Sequence, residues 1–69
     1  MREVLCVRED ERLRREAFEA YARSCACIEA GFFAEGRRYA AKAKELLCCI
    51  ERPNSGDREL LRRIEELFN

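Results

Sequence analysis

Histidine, tryptophan, glutamine and threonine are absent from this 69-residue chain. Without histidine there is no Cys-His pair to activate a thiol nucleophile. Net charge is missing too: 14 basic residues balance 14 acidic ones. No overall field is available to hold a polyphosphate or an anionic membrane, so neither nucleic acid nor membrane is expected as a partner. The three glycines, Gly31, Gly36 and Gly56, are scattered singly, which excludes a glycine-rich phosphate loop. No stretch approaches the roughly 18 consecutive apolar residues of a membrane span, and Val4-Leu5-Cys6-Val7 is too short for a secretory signal core. A soluble, unexported chain is expected, cytoplasmic if its source is a cell. At 8.1 kDa it is long enough for one domain that buries little more than half of its unfolded surface, which excludes a two-domain enzyme.

What is present is charge and cysteine. Charged residues make up 41 % of the chain, and arginine supplies 12 of the 14 cations, a restricted alphabet. The five cysteines are expected as thiols in a chain that is not exported, and their odd number leaves one unpaired in any monomeric disulfide scheme. Cys25-Ala26-Cys27 and Cys48-Cys49 look like thiolate ligand pairs, since four thiolates would make a tetrahedral zinc site. On helices, however, members of the two pairs diverge by about 200° and about 100°, and the pairs sit about 15 Å apart along a helical hairpin. No metal or other cofactor is expected, and the cysteines act as small hydrophobes. Glu65 and Glu66 diverge on a helix and form a solvated face rather than an acid-base couple. Tyr21 and Tyr39 lie on apolar stripes and pack. No catalytic residue emerges.

Gly31 and the cluster Pro53-Asn54-Ser55-Gly56-Asp57 punctuate the chain. Before Gly31, Leu13, Ala17, Phe18, Tyr21, Ser24, Cys25 and Ile28 recur at helical spacing and form the buried side. The opposite face offers the i,i+4 pairs Glu11 with Arg15, Arg12 with Glu16 and Glu19 with Arg23. In the second segment Phe33, Gly36, Ala40, Ala43, Leu47 and Ile50 share a stripe whose small centre, Gly36-Ala40-Ala43, lets a partner backbone come close; Tyr39 and Leu46 widen it on one shoulder. After the turn, Ser55 or Asp57 is placed to cap a third helix with Leu60, Leu61, Ile64, Leu67 and Phe68 on its apolar face. The pattern predicts helices near 10–30, 32–51 and 56–68 in an all-α, three-helix up-down-up bundle. Residues 10–69 make the domain and 1–9 an N-terminal arm or helix extension. In a hairpin turning near residue 31, paired residue numbers sum to about 63, which sets Glu51 beside Arg12. Asp10 is placed to cap the first helix.

Between Ala17 and Leu46 the chain resembles a tetratricopeptide helical hairpin: Gly31, Phe33, Tyr39, Lys42, Ala43, Glu45 and Leu46 fall at that consensus's glycine, tyrosine, tyrosine, lysine, alanine, glutamate and leucine. Ala20 and Arg23 depart from its usual tryptophan and leucine. From Leu13 onward the chain is also similar to the MIT (microtubule-interacting and trafficking) domain, through Gly31, Phe33, Gly36, Tyr39, Ala43, Leu47 and a third helix rich in Leu, Arg and Glu. That resemblance implies a three-helix bundle binding a helical peptide in a groove beside its third helix. The idealised charge pairing, the capped turn and the segment from Arg58 to Leu67 resemble a de novo designed helical bundle.

Two functions are therefore expected in competition. One is a helical scaffold, of designed type, with no catalytic function. The other is an interaction module taking a helical peptide in an apolar groove beside the third helix. Val4, Leu5 and Val7 are the candidate partner contact, through which the chain would form a homodimer. Exposed apolar surface separates the two: a rimmed groove favours the module.

Overall fold

The computed structural model describes the backbone of residues 2–68 and the side chains of residues 8–68. Three helices follow one another, α1 (Arg2–Glu29), α2 (Phe33–Cys48) and α3 (Ser55–Leu67), forming the all-α three-helix bundle that the periodicity predicts. Arg14 of α1 meets Asp57 in the first turn of α3, whereas Tyr21 feels the charges of Arg63 and Glu66 farther along it. So α3 runs parallel to α1 and antiparallel to α2, an up-down-up order. The molecule is a rod of 45 × 17 × 14 Å, its length set by α1, whose 28 residues rise about 42 Å.

The α1–α2 turn is built by glycine. Gly31 has φ 91°, a left-handed conformation that a Cβ penalises. Its N–H bonds the Ile28 carbonyl and the Phe32 N–H bonds the Cys27 carbonyl at 2.8 Å, the Schellman pattern that satisfies the last carbonyls of a helix. From this turn α1 and α2 pack as the closest pair in the molecule along a seam of small residues. Ala17, Ala20, Ala40 and Ala43 are buried, and a Cβ added to Gly36 would stand 2.7 Å from Ile28 Cγ1 and 3.1 Å from the Ser24 carbonyl. The fully buried Ser24 hydroxyl donates to the Gly36 carbonyl at 2.7 Å. Leu47, Ile50 and Ile64 complete the core, with Leu13, Tyr21, Leu46, Leu60, Leu61 and Leu67 half-buried around it.

Several expectations need correcting. α2 stops at Cys48, not 51. Arg52 precedes Pro53 and is biased away from helical angles, and the freed N–H groups of Glu51 and Arg52 bond the Asp10 carboxylate at 3.1 and 3.2 Å. Asp10 is thus no cap for α1; it lies inside that helix, buried, and its carboxylate pins the α2–α3 connection by accepting from two of its N–H groups. Glu51 accordingly faces Asp10 rather than Arg12, a shift of half a turn. The N-cap of α3 is Asn54, not Ser55 or Asp57. Phe18, Phe33 and Phe68 are exposed instead of buried: the close α1–α2 seam encloses Ala17 and leaves Phe18, one position away, pointing outward, while Phe33 opens α2 at the turn and Phe68 stands at the C-terminal end of α3. None of the i,i+4 pairs expected on α1 closes; Arg12 instead reaches Glu9 at 3.4 Å. For residues 1–9 the backbone is helical from Arg2. The side chains of Val4, Leu5 and Val7, and with them the expected partner contact, lie outside the described residues.

Candidate interaction surface beside the third helix

α3 is held at its start by polar bonds. The Asn54 side chain accepts from the Asp57 N–H at 2.8 Å, and the Asp57 carboxylate accepts from the Asn54 N–H at 3.0 Å, a reciprocal capping box. The same carboxylate takes two bonds from the Arg14 guanidinium, 2.6 Å from Nε and 2.8 Å from Nη2. Asp57 is only 4 % exposed, so its charge depends on these partners. Arg14 and the Asn54 N–H hold the Asp57 carboxyl below its usual range against the opposing effect of burial. Asp57 also keeps the Arg14 guanidinium protonated above its ordinary value. The effect is to clamp the start of α3 to the middle of α1. Beyond the clamp α3 leans on α2 more than on α1, which leaves a groove on each of its sides.

The α1 side is a groove of about 380 Å³ along Arg14, Phe18, Leu60 and Arg63, closed at its base by Asn54, Gly56, Asp57 and Glu59. Its charges are already satisfied within the chain: Arg14 by Asp57, and Arg63 by Glu59 at 3.5 Å. On the α2 side a larger groove, about 650 Å³, is lined by Ala41, Lys44, Glu45, Cys48, Cys49 and Phe68. Its floor is apolar, and among the described residues neither Lys44 nor Glu45 has an ion-pair partner. Both thiols there are free and exposed, while Cys25 and Cys27 are free and half-buried. Beside Cys25 and partly buried, the Tyr21 phenol is pushed above its ordinary pKa of 10.0 and stays protonated at neutral pH. Among the described residues no three Cys, Asp or Glu side chains come together as metal ligands.

All four phenylalanines of the chain are exposed: Phe18 by 62 %, Phe32 by 59 %, Phe33 by 61 % and Phe68 by 44 %. No family model, curated protein or solved structure matches the chain. The surface chemistry therefore stands on its own. Sequence reasoning missed Phe68 as a groove wall, since helical periodicity places it on the apolar face of α3; the available signal was its position at the helix end, where α3 runs out of partner to pack against. It also took Cys48 and Cys49 as filler, although the adjacent pair must turn at least one thiol outward.

Proposed function

We propose that this chain is a non-catalytic interaction module that takes an amphipathic helical segment of another protein in the α2–α3 groove. The observation that carries the reading is where the large apolar side chains sit: the interior holds Ala17, Ala20, Ala40, Ala43 and Ser24 beside the aliphatic Leu47, Ile50 and Ile64, while every phenylalanine is exposed. A chain of this size gains stability from each large side chain it buries, so leaving all four outside has a cost that a partner would offset. The groove suits a helix by its shape and chemistry. Ala41, Cys48, Cys49 and Phe68 present an apolar floor and wall for side chains at i, i+3 or i+4 and i+7, and Lys44 and Glu45 stand free to pair with a flanking acid and base. The likeness of the chain from Leu13 onward to the MIT domain points to the same kind of partner. No titratable group in either groove is paired with a base or nucleophile that would make it reactive.

Cys48 and Cys49 are built-in reporters. A panel of helical peptides carrying leucines at i, i+3 or i+4 and i+7, with acidic or basic flanks, is titrated against the protein while alkylation by N-ethylmaleimide is followed residue by residue. A fitting peptide slows modification of Cys48 and Cys49, leaves Cys25 and Cys27 unaffected, and loses that protection with Phe68→Ser. Protection that is absent across the panel up to about 1 mM, a concentration that detects even weak helix-groove affinity, refutes the assignment.

A further inference from the structure

We propose that the solvent face of α1 is a self-association surface whose occupant is a second copy of this chain, paired antiparallel about a two-fold axis at Ala22. This surface shares no residue with the α2–α3 groove, so the two assignments stand or fall separately. Arg15, Phe18, Ala22, Ala26 and Glu29 are all exposed. At about 100° per residue they form one stripe within about 40° of the Ala22 direction, on the side of α1 turned away from the seam. Their spacings along the chain are three, four, four and three residues, which is symmetrical about Ala22.

A two-fold rotation at that residue therefore brings the stripe onto its own complement. Phe18 of each copy comes level with Ala26 of the other, a large side chain beside a small one, as in the layers of antiparallel coiled coils. Ala22 meets Ala22 at the axis, where two methyl groups let the backbones approach closely. Arg15 of each copy comes level with Glu29 of the other, giving two intermolecular ion pairs. Neither residue has an ion-pair partner among the described residues of its own chain. A parallel pairing in register would instead oppose Arg15 to Arg15 and Glu29 to Glu29, so the same two charges that favour the antiparallel order reject the other. Phe18, 62 % exposed on an isolated chain, becomes the buried anchor at the centre of each half. The stripe spans about 21 Å of helix, which places the contact at the small end of specific interfaces and its strength in the micromolar range or weaker.

Sedimentation equilibrium of the full chain in reductant, over about 10 µM to about 1 mM, a range matched to weak dimers, tests this. The intact protein shows a monomer-dimer equilibrium. Arg15→Glu and Glu29→Arg each weaken it by about tenfold, because both intermolecular pairs become like-charged. The double variant Arg15→Glu with Glu29→Arg restores wild-type association, since the pairs are reversed in sign but again opposite. All three substitutions are on solvent-exposed positions, and far-UV circular dichroism checks that the fold is intact. An intact chain still monomeric at about 1 mM overturns the proposal, and so does a double variant as weak as the singles.

Discussion

Gly36→Ala is the sharpest probe of the seam between α1 and α2, because two large effects oppose each other and the structure decides the sign. In an exposed helix interior this substitution stabilises by about 1 kcal/mol through backbone entropy. At position 36 the new methyl group would lie 2.7 Å from Ile28 Cγ1, 3.3 Å from Ile28 Cδ1 and 3.1 Å from the Ser24 carbonyl oxygen. Ile28 is half-buried and its outer carbon can swing away, but Cγ1 moves only with the whole side chain. The Ser24 oxygen is backbone and yields only if α1 shifts. Any such shift also stretches the bond from the Ser24 hydroxyl to the Gly36 carbonyl. Overpacking of this kind costs about 2 to 3 kcal/mol, so the expected net loss is about 1 to 2 kcal/mol, or about 5 to 15 °C in melting temperature for a domain of this length. Urea denaturation followed by circular dichroism measures it. The cycle with Ile28→Ala locates the cause: with the isoleucine removed, Gly36→Ala should cost at least about 1 kcal/mol less. A Gly36→Ala variant that is more stable than the parent would refute the close approach of the two helices.

Two other expectations follow from the clamp and the thiols. Asp57→Asn should destabilise by about 2 kcal/mol at pH 7, less than for a fully buried pair because Arg14 is about one-third exposed. Since the Asp57 pKa is lowered in the folded state, its contribution is present above the unfolded-state pKa of about 4 and is lost as pH falls through the folded value. Parent and variant should therefore converge in stability on acidification below about pH 4, and a gap that stays constant down to pH 2 would contradict the clamp. With Ellman's reagent, the exposed Cys48 and Cys49 should react several-fold faster than the half-buried Cys25 and Cys27; equal rates would contradict the packing.

Helical periodicity alone was enough to read the number, order and approximate extent of the helices, because three- and four-residue spacing is a local property and the breakers at Gly31 and Pro53 are local too. It also located the small seam, since Gly36, Ala40 and Ala43 recur on one stripe of α2 and little but close helix packing explains small residues there. The sequence could not say which acidic residue serves which helix. Asp10 reads as a cap for its own helix, yet it captures N–H groups 41 and 42 positions away, and Asp57 reads as a cap but also receives Arg14. Those assignments depend on the register of two helices, which a two-residue slip would change while leaving every local pattern intact. The positions of the phenylalanines were likewise tertiary. Phe18 is one step from Ala17 along the same helix, and only the closeness of α2, with α3 leaning toward it, determines that the alanine is enclosed and the aromatic ring stands in water. How much of an amphipathic face is buried depends on the width of its neighbours, and no single helix encodes that width.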